Sequence, residues 1–84
     1  MTTNQIDLNI IVNGKPFTVE ANINEPLKAV IPKALVAAGQ QGRQNEDWQL
    51  KLNGNALPLD AKIKDLGLTN GITLFLTLEA GNLG

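Results

Sequence analysis

Asn13-Gly14 stands between two runs that each alternate apolar and polar residues, and this junction constrains the fold more than any other feature of the chain. A two-residue hairpin turn of the favoured hand needs positive φ at both central positions, and Asn and Gly tolerate it. Before the turn, Ile6, Leu8, Ile10 and Val12 share one face, with Asp7, Asn9 and Ile11 on the other. After it, Phe17, Val19 and Ala21 alternate with Thr18, Glu20 and Asn22. A period of two in β-branched and apolar residues is the mark of a half-buried strand. The chain therefore opens with a β-hairpin whose apolar face needs a cover.

A helix follows to supply it. Asn24, Glu25 and Pro26 form a start signal: Asn24 can cap free amides, Glu25 suits the positive end of the dipole, and Pro26 suits a first turn. Leu27, Val30, Ile31, Ala34, Leu35 and Ala38 then recur at helical spacing, and Gly39 stops the helix. Pro32 conflicts with an uninterrupted helix, because an interior proline removes one amide hydrogen bond. The apolar stripe stays in phase on both sides of it, so the sequence predicts one kinked helix, with a break at Ile31 as the alternative.

Residues 40–47 are polar and read as a loop. Trp48, Leu50 and Leu52 alternate with Gln49 and Lys51, which predicts a third strand. Asn53-Gly54 turns the chain, and residues 56–59 form a short strand that Pro58 confines to an edge. Residues 60–66 form a short helical turn with Asp60 as its cap and Ile63 and Leu66 facing inward. After Asn70-Gly71, Ile72, Leu74, Leu76 and Leu78 alternate with Thr73, Phe75 and Thr77 to make the last strand. The helix is long enough to carry the chain between parallel first and last strands. The resulting fold class is α+β: a β-grasp with a mixed sheet of four to five strands wrapped on one main helix, plus a short helix. The expected division is a domain over 1–79 and a C-terminal tail over 80–84.

Composition narrows the chemistry. The chain of 84 residues has a net charge of −1, with its Lys and Arg residues scattered, so neither nucleic acid nor an anionic membrane is the expected partner. It contains no Cys and no His. Thiolate and imidazole chemistry, disulfides and the usual zinc sites are thereby excluded. No paired carboxylates, phosphate loop or metal spacing stands out, so the chain reads as a non-enzyme without a cofactor. The N-terminal stretch carries neither a basic leader nor a long apolar run, and the expectation is a cytoplasmic monomer.

The order and lengths of these elements resemble ubiquitin from residue 6 to residue 84. FTVEANINEPLKAV has the second-strand-to-helix pattern of that fold, and LKLNGNALPLDAKIKDLGLTNGITLFLTL is similar to its second half. The run VNGKPFTVEANINEPLKAVIPKAL, with DWQL and GITLFL, resembles a bacterial ubiquitin-like family encoded in operons with activating-enzyme-like, conjugating-enzyme-like and JAB-type metalloprotease genes. The resemblance implies a protein modifier whose C-terminal glycine is activated and joined to amines of target proteins by those partner enzymes. Gly84 is the residue it marks for conjugation, with Ala80, Gly81, Asn82 and Leu83 as the tail leading to it. This chain ends in Asn82-Leu83-Gly84, where the family pattern has a Gly-Gly pair.

The binding face of ubiquitin is an apolar patch on its third and last strands. The matching outward positions here are Lys51, Phe75 and Thr77, of which Phe75 alone offers an apolar anchor. Trp48, in phase with Leu50 and Leu52, belongs to the core or to its edge. Three function classes stand: a conjugated modifier; a non-covalent adaptor that binds through the face around Phe75; and a sulfur carrier bearing a C-terminal thiocarboxylate. The tail itself reads either as a reactive handle or as a frayed end.

Overall fold

The computed structural model describes residues 4–40 and 47–78. Strand β1 (Gln5–Val12) and strand β2 (Lys15–Asn22) form the opening hairpin. A 3-10 turn (Leu27–Ala29) leads directly into helix α1 (Val30–Ala37). Strands β3 (Trp48–Leu52) and β4 (Asn55–Ala56), a second 3-10 turn (Ile63–Leu66) and strand β5 (Thr73–Leu78) complete the order. The sheet runs β2-β1-β5-β3-β4, with β1 and β5 parallel and every other pair antiparallel. This is the ubiquitin-like β-grasp: a mixed sheet whose central strands come from the two ends of the fold.

The turns follow the sequence signals. Asn13 and Gly14 have φ of 52° and 81°, and Val12 pairs with Lys15 across them. Asn53 and Gly54 repeat the arrangement between Leu52 and Asn55, at φ of 54° and 85°. Helix α1 ends in a paired C-cap. Gly39, at φ 75°, donates to the Val36 carbonyl at 3.1 Å, and Gln40 donates to the Leu35 carbonyl at 2.7 Å. These two bonds satisfy carbonyls that the helix end would leave open.

The helix start differs from the sequence expectation. Its first turn is 3-10, and α1 proper begins at Val30, which puts Pro32 in the first α turn. Amides there have no acceptor within the helix, so Pro32 removes no α-helical bond. Asn24 caps nothing. Its backbone amide donates to the Asn22 side chain at 2.8 Å, and Pro26 occupies the cap position of the 3-10 turn.

Asp60 is likewise no cap; Lys62 takes that position, and Asp60 forms an exposed ion pair with Lys28 at 3.1 Å. The two 3-10 turns cap each other through the backbone instead. Leu27 and Lys28 donate to the carbonyls of Ala61 and Leu59, each at 2.9 Å. Ile63 and Lys64 donate to those of Glu25 and Ile23, at 3.0 and 2.9 Å. Of the stretch 56–59 expected as a strand only Ala56 is in one, as the second residue of β4 at the sheet edge, with Leu57 still donating to Leu50 at 2.9 Å. Pro58, which has no amide to offer, lies just beyond.

One face of the sheet and the inner face of α1 enclose a single apolar core. Leu8, Ile10, Leu27, Val30, Ala34, Leu35, Leu50, Ile63 and Leu74 are fully buried in it, and Trp48 joins it at 6% exposure. No polar or charged residue is buried among the described residues. The outer strand β2 is protected. Asn9 donates to Ile72 and Asp7 accepts from Gly71, so the odd residues of β1 face β5 and the even ones face β2. In that pattern Pro16, opposite Ile11, turns its amide-less nitrogen to the open edge. Lys33 covers the Glu20 carbonyl at 3.2 Å and Glu25 accepts from the Asn22 amide at 3.4 Å, so the edge is blunted at both of its ends.

Leu74 is fully buried on the strand that joins the two halves. Leu74→Ala is expected to lower unfolding free energy by about 2–5 kcal/mol, read as a shifted midpoint in urea titration by circular dichroism. A loss below about 1 kcal/mol would show that β5 does not carry the core as described.

Candidate binding face

The face of the sheet turned away from α1 has no covering element among the described residues. Cross-strand register sets what it displays. Pro16 lies opposite Ile11, Ile11 beside Phe75, Phe75 opposite Lys51, and Lys51 opposite Ala56. One row thus crosses all five strands, and it is apolar except for Lys51. Phe75, its one aromatic member, is 46% exposed. A second row, nearer the other end of the sheet, is polar: Thr18, Asn9 and Thr73, with the Asn9 side chain donating to Thr73 Oγ1 at 3.1 Å. Beyond it Asp7 and Glu20 are exposed directly opposite one another. The open face therefore has an apolar end with a cation beside it and an acidic end. Lys51 has no ion-pair partner among the described residues.

At the apolar end the surface sinks into a depression of about 320 Å³, lined by Ile11, Asn13, Gly14, Trp48, Phe75 and Thr77 with the neighbouring Leu76 and Leu78. Each wall has a local cause. The Asn13-Gly14 turn ends β1 and curls over one side. Thr77, opposite Gln49, is the next outward residue of β5 after Phe75. Thr77 Oγ1 is buried and has no hydrogen-bond partner among the described residues. Leu78, where the described part of β5 ends, is 40% exposed at the same mouth.

The structure places Phe75, Lys51 and Thr77 together on this face, with Phe75 and Lys51 directly paired. Of these three Phe75 is the one apolar side chain, and a fourth residue, Ile11, adjoins it through the parallel β1–β5 ladder. The signal for Ile11 was its phase opposite Leu8 and Ile10; what sequence could not supply was the register that sets it against Phe75. Trp48 is core, with one edge reaching the depression. Gly84 and the preceding Ala80, Gly81, Asn82 and Leu83 lie outside the described residues. Among the described residues no cluster of acidic side chains is arranged to hold a metal. No helix there is long and apolar enough to cross a membrane.

This fold and its uncovered sheet face define a ubiquitin-like protein. The chain belongs to the family described as Protein of Unknown function (DUF2604), which matches residues 1–84. It is 43% identical over 81 residues to the protein y4jI of Sinorhizobium fredii, covering 95% of this chain. The matched region spans 62% of that curated relative's length. Among solved structures it is similar to the ubiquitin of Caldiarchaeum subterraneum, with a TM-score of 0.69 and 22% identity over 93% of this chain and 99% of that one. It is also similar to the C-terminal ubiquitin-like domain of the human 2'-5'-oligoadenylate synthetase-like protein, with a TM-score of 0.75 and 19% identity over 98% and 92% of the two chains. What these structures share with this chain is the fold.

The unpartnered Thr77 hydroxyl makes a prediction. Valine has nearly the same shape and no polar atom to leave unpaired. Thr77→Val is expected to leave stability unchanged or raise it by about 1 kcal/mol in urea titration. A loss of about 1 kcal/mol or more would mean that the hydroxyl has a bonded partner.

Proposed function

We propose that this protein is a ubiquitin-like modifier, activated at Gly84 and transferred to amines on target proteins by partner enzymes. The observation that supports this reading best is the relation between the last strand and the open face. β5 lies in the middle of the sheet and ends at the mouth of the apolar depression. A partner that grips Ile11 and Phe75 is thereby positioned over the start of the residues that lead to Gly84. The chemistry asked of the chain is small. The Gly84 carboxylate takes AMP from ATP with release of pyrophosphate, a partner's thiol displaces AMP to form a thioester, and an amine displaces that thiol to form an amide. A residue without a side chain leaves the carbonyl open to each nucleophile. The catalytic groups are on the partners: an activating enzyme, a conjugating enzyme and, for removal or for trimming any residues beyond Gly84, a JAB-type peptidase.

A second reading draws on the exposed Ile11–Phe75 pair alone. In it the protein is an adaptor that binds a partner through the sheet face without covalent transfer. Aromatic residues, Phe among them, are enriched in interfaces relative to the rest of the surface.

One experiment separates the two. The protein carrying an N-terminal tag is isolated from its source cells under denaturing conditions and digested for mass spectrometry. Peptides joining the Gly84 carbonyl to a lysine or N-terminal amine are expected, and deletion of Gly84 is expected to abolish them without altering the circular dichroism spectrum. Adducts that persist after the deletion would refute conjugation through Gly84. If the chain is recovered only unmodified, the adaptor reading gains. Phe75→Ala is then expected to weaken capture of native partners about 10- to 100-fold.

A further inference from the structure

The sequence contains Asn-Gly at 13–14, 53–54 and 70–71, and hairpin formation accounts for only part of what this dipeptide can do. In Asn-Gly the glycine amide nitrogen can attack the Asn side-chain carbonyl carbon. The new C–N bond closes a succinimide ring and ammonia leaves. Water then opens the ring at either carbonyl, giving aspartate or isoaspartate. Glycine favours the attack because no side chain hinders the approach. The three asparagines are all exposed, so solvent access does not distinguish them.

Hydrogen bonding does. Asn70 Oδ1 accepts from the Asp7 amide at 2.7 Å, which fixes its side chain. The Gly71 amide, the nucleophile in the reaction, donates to the Asp7 carbonyl at 2.7 Å. Both reacting groups of that pair are thus held by the same residue of β1. Asn13 and Asn53 have no side-chain hydrogen bond among the described residues, and neither the Gly14 nor the Gly54 amide donates one there.

We infer that Asn13 and Asn53 are sites of spontaneous deamidation and that Asn70 is protected by its clamp on Asp7. Of the two, Asn13 bears on the open face, because it lines the depression beside Ile11 and Phe75. Aspartate formed there sets a carboxylate into an otherwise largely apolar wall. Isoaspartate also lengthens the backbone of the turn by one atom and disturbs the β1–β2 register. The effect on partner binding rests on the open-face reading above; the order of reactivity does not.

The test is incubation of the full chain in mildly alkaline buffer, with peptide mapping at intervals that distinguishes aspartate, isoaspartate and asparagine at each position. In the folded protein Asn13 and Asn53 are expected to convert about tenfold faster than Asn70 or more, because attack at Asn70 must first break two hydrogen bonds. In strong urea the three rates are expected to converge. Conversion of Asn70 as fast as Asn13 in the folded protein would overturn the inference. So would a difference that persists unchanged in urea, since protection would then not come from the fold. Asn13→Asp supplies the consequence separately: weaker partner capture with an unchanged spectrum is expected if the face binds, and the deamidation order stands or falls without it.

Discussion

The parallel pairing of β1 with β5 is the interaction on which the rest of the structure depends. β1 is hydrogen-bonded along both edges, to β2 through its even residues and to β5 through its odd ones. Among the described residues its pairing with β5 is the only seam between the opening hairpin and the second half of the sheet. The same register decides both faces. Ile10 beside Leu74 and Val12 beside Leu76 face the helix, and Ile11 beside Phe75 faces outward. A slip of one residue in β5 would send Phe75 into the core and expose Leu74 and Leu76. Core and candidate site are therefore specified by one ladder. The Asn70 clamp on Asp7 adds side-chain and backbone bonds where that ladder begins.

What was legible in the sequence was what short-range physics decides. The two Asn-Gly hairpins, the alternation of the long strands and Gly39 at the helix end depend on neighbours a few residues away. The helix starts were not legible in the same way. Asn24 and Asp60 carry the right chemistry for caps, yet the amides in question are satisfied by backbone carbonyls more than thirty residues distant, Leu27 by Ala61 and Ile63 by Glu25. No local pattern encodes a partner of that kind. Pro32 was misread for a related reason. Its in-phase apolar neighbours are real, but a 3-10 turn precedes the α-helix and moves the proline into a position where it costs no bond.

The candidate site was half legible. Phase alone puts Phe75, Lys51 and Thr77 on one side of their strands. Joining Ile11 to Phe75 requires knowing that first and last strands are adjacent, parallel and in a particular register. That register also explains why the site is more apolar than the positions on β3 and β5 alone suggest. Ile11 on β1 supplies apolar surface on one side of Phe75, and Lys51 on β3 supplies the charge on the other. The apolar surface of the open face is thus displaced from β3 toward β1.

That displacement bears on which partners the face suits. The apolar row runs across the strands with its only charge at Lys51, and the acidic pair Asp7 and Glu20 lies several residues along β1 toward the opposite end. In the binding proposed above, a partner with an apolar anchor and a carboxylate beside it would match the first end and be repelled from the second. The face would then distinguish orientation as well as composition, since a partner rotated end for end would set its acidic group against Asp7 and Glu20. Such opposed charges act mainly by excluding wrong alignments, and the apolar contact supplies most of the affinity. Because the described part of β5 stops at the apolar end of this gradient, the modifier reading proposed above sets recognition of Ile11 and Phe75 beside Leu78.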